Sequence, residues 1–150
     1  MNSNQCLLCR IASGALTSNV VYESTDVVAF LDINPIRPGH IQIVPRAHFP
    51  YYDDVPAQIA SEIMFLGQRL APVLRLLFHS PRVAFLYTGG DIAHAHAHVV
   101  PMQEPTDITS RQYIVDQNIT FRETPRAPET ELRSSALLIV SALREAKSDA

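Results

Sequence analysis

The chain has little cysteine: two thiols in 150 residues, three positions apart. In a reducing compartment that spacing points to a metal or redox pair before a structural disulfide. No apolar run approaches the roughly 18 residues of a membrane span, so no spanning helix is expected. Met1-Asn2-Ser3-Asn4-Gln5 has neither the basic nor the long apolar region of a secretory leader, and a cytoplasmic location is expected. An excess of either charge is also missing. A net charge of -3 offers no general attraction to nucleic acid or an anionic membrane, so neither partner is expected. A phosphate ligand would have to be held by local donors. No internal repeat and no second domain are evident, so residues 1–150 read as one domain. What is present, 47% hydrophobic and 18% charged residues, fits a globular chain with a real core.

Periodicity sets the expected elements. Leu7, Leu8 and Ile11 suit a helical turn stopped at Gly14. Residues 20–23 and 27–32 read as strands joined by the turn 24–26. Pro38-Gly39 suits the centre of a type II turn, followed by a strand over 40–44 with His40 and Gln42 on one face. Residues 53–78 predict the main helix, capped by Asp53 or Asp54 with Pro56 in its first turn and a kink at Pro72. A strand over 83–87, a turn over 88–91 and a strand over 93–100 follow. A short strand is expected over 117–122. A last helix, capped by Thr130 and running to about residue 146, carries the stripe Leu132, Ala136, Ile139, Val140 and Leu143. The sum is an α+β domain: an antiparallel sheet with helices packed on one face.

The stretch that stands out is His94-Ala95-His96-Ala97-His98-Val99-Val100. In an extended strand alternate residues share a face, so three imidazoles line one side and small apolar residues the other. A metal is one use for such a ladder. Positions two apart lie about 6.6 Å apart and can share a zinc; positions four apart, about 13 Å, are a long reach for one ion. Nucleophilic catalysis is the other use, because imidazole is largely unprotonated near neutral pH.

This heptad resembles the signature of the histidine-triad family of nucleotide hydrolases and transferases. Phe30 to His40 and Ile41 to His48 are similar to the family's first nucleotide-binding segment. Cys6-Leu7-Leu8-Cys9 resembles the N-terminal pair of the zinc-containing bacterial-type branch. The likeness runs over about residues 5–101, leaving 102–150 as an extension with its own helix. It implies a HIT-like fold: a five-stranded antiparallel meander, a long helix on one face and a further C-terminal helix, paired into a homodimer. It also implies residue roles. His96 would be the nucleophile, His98 a hydrogen-bond donor to the phosphate or leaving group, and His40 a support for the triad. Asp32, Ile33 and Asn34 would embrace the nucleoside. Cys6, Cys9, His48 and His94 would hold a structural zinc, with no organic cofactor.

One departure concerns the run before the triad. Members often carry an Asn and a Gly-Gln-Ser/Thr run there, whereas this chain has Tyr87-Thr88-Gly89-Gly90-Asp91 and a shorter connection. The glutamine is missing. The Thr88 hydroxyl and the Gly89 and Gly90 amides are the replacement phosphate donors. The third histidine is present where the uridylyltransferase branch typically has glutamine, which favours a hydrolase. The resemblance therefore implies hydrolysis of a purine nucleotide conjugate, a phosphoramidate or dinucleoside polyphosphate, through a nucleotidyl-histidine. The alternatives are a nucleotide-binding regulatory protein with weak or no catalysis, and a metal-dependent enzyme using the ladder as ligands.

Overall fold

The computed structural model describes residues 6–88, 92–108 and 124–148, with side chains through residue 145. Its elements are α1 (Leu7–Ala12), β1 (Val20–Glu23), β2 (Val27–Leu31), β3 (Ile41–Pro45), α2 (Ala57–Phe78), β4 (Arg82–Tyr87), β5 (Ala97–Met102) and α3 (Glu129–Ser148). The five strands form one antiparallel sheet in the order β1-β2-β3-β5-β4. The first three follow one another as a meander. The chain then crosses by α2 to the edge, lays down β4, and returns as β5 between β3 and β4. The strand bearing the last triad histidine is thus bonded on both sides, to Gln42 through β3 and Leu86 through β4.

Side-chain alternation splits the sheet into two unlike faces. Val27, Ala29 and Leu31 of β2, Ile41 and Ile43 of β3, and Ala97 and Val99 of β5 meet Ile63, Leu66, Leu70 and Leu74 of α2. Leu132, Ala136, Ile139 and Leu143 of α3 enter that same core, so the last helix docks beside α2 on one face. Each Val, Leu or Ile among them fully withdrawn from water contributes about 1.5–3 kcal/mol. On the opposite face Val28, Phe30 and Val44 pack against Leu8, Ala12 and Cys6, so α1 covers one end of the sheet and leaves the other for polar residues.

Expectations change at two element ends, the starts of the two long helices. Asp53 and Asp54 do not cap α2. They sit in a separate 3-10 turn (Tyr52–Asp54), where the Asp54 carboxylate accepts the Tyr51 N–H at 3.3 Å, and Pro56 precedes the helix. Helix α2 runs through Pro72. The carbonyl that loses its donor belongs to Gln68, which is exposed. Helix α3 begins at Glu129, so Thr130 lies inside it, and the Pro128 carbonyl accepts the N–H groups of Glu131 and Leu132. The expected strand over 117–122 lies outside the described residues.

The loop before β3 follows the expected turn. His40 N–H donates to the Arg37 carbonyl at 3.0 Å, and Gly39 has φ +86°, which places Pro38 and Gly39 at the centre of a type II turn. Any Cβ at Gly39 would also collide with the Phe78 ring at the end of α2.

Candidate active site and metal centre

The histidine stretch is less regular than a strand spanning 93–100 would make it. Strand β5 starts at Ala97, so only His98 lies in the ladder. Ahead of it the backbone bonds elsewhere: Ala95 N–H donates to the Phe49 carbonyl at 2.6 Å and His94 N–H to the Ile92 carbonyl at 2.8 Å. Cross-strand pairing gives way to contacts with the 46–49 loop. The three rings therefore diverge. His94 turns towards α1, while His96 stays against His98 with ring centroids 4.9 Å apart.

Two groups of side chains result. In the first, His94 Nδ1 lies 3.4 Å from Cys6 Sγ and 3.3 Å from Cys9 Sγ, and His48 Nδ1 lies 3.3 Å from Cys9 Sγ. The four residues offer one ligand atom each, all within 4.8 Å of one another. A tetrahedral zinc at bond lengths of about 2.3 Å to sulfur and about 2.0 Å to nitrogen would set neighbouring S and N atoms about 3.5 Å apart, so the donor set fits. Tautomer fits too. His94 Nε2 lies 3.0 Å from the Pro45 carbonyl, which can only accept, so Nε2 carries the proton and Nδ1 turns its lone pair to the thiols. Burial, then the neighbouring Cys6, push the Cys9 thiol up to about 11. A cation is what would draw the proton off.

The second group runs from the β2–β3 loop to the triad. Ile36 N–H donates to His40 Nδ1 at 3.2 Å. A neutral ring that accepts at Nδ1 must carry its proton on Nε2, and His40 Nε2 lies 2.9 Å from His98 Nδ1. Burial keeps the His40 ring neutral by pushing its pKa below the usual imidazole value, against a smaller upward pull from Asp32. His98, accepting at Nδ1, then carries its proton on Nε2, 3.2 Å from the Thr88 hydroxyl. His96 Nδ1 lies 2.7 Å from the His94 carbonyl, so its proton sits there and its Nε2 keeps the lone pair. Two main-chain groups thus set three tautomers.

Asp32 closes the far end of this row. Its Oδ1 accepts the Asn34 N–H at 2.8 Å and its Oδ2 accepts the Gln42 side-chain N–H at 2.7 Å. Asp32, His40 and His98 also have ligand atoms within 4.8 Å of one another. Here, however, the Ile36 N–H occupies the lone pair of His40 Nδ1 and His40 Nε2 faces His98, so His40 has no free lone pair for an ion. Asn34 donates to the Thr124 carbonyl at 3.2 Å, and Ile33 is 41% exposed. Gly89, Gly90 and Asp91 lie outside the described residues. Beside Asp32 and Gln42 opens a cavity of about 240 Å³, walled by Leu7, Leu8, Ile11, Phe30 and Ile33.

Sequence reasoning left three participants unassigned. Gln42 was legible as a neighbour of His40 on one face, but nothing signalled its bond to Asp32. Main-chain groups such as the Ile36 amide leave no residue-type signal at all. Arg37 places Nε and Nη2 at 2.9 and 2.7 Å from Asp107 Oδ1, while Asp107 Oδ2 accepts the N–H groups of Gln103 and Glu104. Burial alone would raise the Asp107 pKa; the Arg37 hydrogen bond and the two amides hold it below the usual carboxylate range. That pair ties the loop ahead of His40 to the segment after β5.

The HIT domain profile matches residues 13–105. An uncharacterized HIT-like protein of Methanocaldococcus jannaschii is 32% identical over 107 residues, covering 66% of this chain and 80% of that protein. The adenosine 5'-monophosphoramidase of Saccharomyces cerevisiae is 30% identical over 104 residues, covering 66% and 63%. Among solved structures, a Zn-bound histidine triad family protein from Mycobacterium smegmatis superposes with a TM-score of 0.76 at 26% identity, covering 99% of this chain and all of that one.

Proposed function

The chain belongs to the HIT domain family, and from that premise we propose that it is a nucleotide-conjugate hydrolase of phosphoramidate or dinucleoside polyphosphate type. It works through a nucleotidyl-histidine on His96, on a purine nucleotide conjugate. The observation that carries the reading is the 2.7 Å contact of His96 Nδ1 with the His94 carbonyl, which leaves the lone pair on Nε2. A relative that is an adenosine 5'-monophosphoramidase supports the reaction class.

In this mechanism His96 Nε2 attacks the α-phosphorus. The N–P bond forms as the bond from phosphorus to the leaving nitrogen or oxygen breaks. An amine takes its proton from water; a phosphate departs as the anion. Water then attacks phosphorus, the N–P bond breaks, the lone pair returns to His96, and the monophosphate leaves with a proton released to solvent. The gain is two easier displacements for one hard one. His98 Nε2–H hydrogen-bonds to a phosphoryl oxygen or the leaving atom, with Thr88 and the amides of Gly89 and Gly90 as further donors. His40 is a positioning residue for His98. Asp32 takes the ribose hydroxyls: a carboxylate has about four lone-pair sites, so two N–H partners do not exhaust it. Ile33 and Asn34 flank the nucleoside.

Cys6, Cys9, His48 and His94 would hold a structural zinc, which when bound pins α1 to the triad backbone. No organic cofactor is required. We read residues 1–150 as one domain, paired into a homodimer and acting in the cytoplasm without membrane or nucleic-acid partners. No described helix is long and apolar enough to cross a membrane. A second reading, a nucleotide-binding regulator with little catalysis, is favoured by the missing glutamine in the run Tyr87 to Asp91.

The test is His96→Ala with an AMP phosphoramidate as substrate. Loss of turnover by on the order of 10⁴-fold, with a nucleotidyl adduct trapped on His96 of the unsubstituted chain by mass spectrometry, is the expected result. A folded variant hydrolysing at the original rate removes the covalent route. Tight AMP binding without turnover in the unsubstituted chain moves the assignment to the regulator.

A further inference from the structure

The cavity beside Asp32 is not built from the family core alone. Arg126 lines it, and Arg126 lies beyond the residues that the HIT profile matches. Two bonds hold its segment against the nucleoside loop. Ala127 N–H donates to the Ile33 carbonyl at 2.8 Å, and the Asn34 side chain donates to the Thr124 carbonyl at 3.2 Å. Residues 124–127 thus form a strap along Ile33 and Asn34, fixed on both sides of Arg126.

What the strap faces follows from the cavity walls. Neither His96 nor His98 lines the cavity. Phosphorus must lie at those histidines, so the group that fills the cavity is the part of the ligand remote from phosphorus. The walls are mainly apolar, which suits a flat aromatic body. Arg126 is exposed, and among the described residues its guanidinium has no hydrogen-bond or carboxylate partner. A guanidinium only donates. The purine edge that answers paired donors is the O6 and N7 of a 6-oxopurine; a 6-aminopurine sets an amino donor where O6 would be.

We infer that the strap 124–127 is part of the nucleoside pocket, and that Arg126 is a specificity-determining residue that selects a guanine-type base over adenine. The inference rests on the nucleotide reading above and adds the base and the residue that reads it. The C-terminal extension thereby gains a role: it carries a donor to the cleft that the core does not supply.

The test is equilibrium binding of GMP and of AMP to the full chain by calorimetry, which needs no turnover. The unsubstituted protein is expected to bind GMP about tenfold more tightly than AMP, and Arg126→Ala to bring the two affinities together by weakening GMP alone. Arg126 is exposed, so its removal leaves the core intact. Equal affinities or an AMP preference in the unsubstituted chain, or an unchanged ratio in Arg126→Ala, overturns the inference while the nucleotide site stands. Binding of neither nucleotide overturns both.

Discussion

His40 sets the proton of His98: its Nε2 stands 2.9 Å from His98 Nδ1, and the Ile36 amide on its other nitrogen leaves only one tautomer. The ring that does this is 2% exposed. Its neutrality is therefore part of the fold as well as of the site.

That neutrality has a pH signature. Burial puts the folded pKa of His40 below the unfolded value of about 6.5. Between the two values the unfolded chain binds the extra proton, so stability climbs with pH across that window and is lost as pH falls through it. Denaturant unfolding measured from pH 7.5 down to pH 5 should show the decline. His40→Gln should flatten it, leaving the part due to other buried groups. An identical slope in both proteins would mean that His40 is not buried neutral.

Gly39→Ala should cost at least about 2 kcal/mol, from the left-handed backbone and the collision with Phe78 together. For a chain of this size the thermal midpoint should drop by about 4–8 °C. Since residue 40 follows at once, His98 should lose its partner. An imidazole proton spectrum would reveal this as a changed His98 resonance. A variant as stable as the parent would contradict the turn geometry.

Purified protein should contain about one zinc per chain, and a chelator should lower its unfolding temperature. Cys6→Ser should lower both zinc content and stability, because Cys6 is buried against His94. Metal-free protein with unchanged stability in Cys6→Ser would show that the four donors pack without an ion.

The fold was largely readable because the apolar periods are clean. Ile63, Leu66, Leu70 and Leu74 repeat at helical spacing, and Ala97 and Val99 alternate with His98, so both faces of the sheet followed from residue type. Element ends were less readable. Asp53 and Asp54 look like caps, yet Pro56 shifts the helix start past them. The triad was evident as a motif but not as a shape. Nothing in His-Ala-His-Ala-His announces that Ala95 will bond to Phe49 and rotate His94 away from its neighbours. The strap was invisible for a plainer reason: the contact of Ala127 with Ile33 joins main-chain atoms more than ninety positions apart, and no side-chain pattern encodes it.

The place of β5 between β3 and β4 bears on how this chain can vary. A one-residue slip there would invert every side chain, sending His98 into the helix layer and Val99 out of it, and would break pairing along two borders at once. Insertions or deletions inside 97–102 are accordingly closed to drift. The connection from β4 to β5 is no freer at its far end, because His94 and His96 lie there and Ala95 between them is bonded to the Phe49 carbonyl.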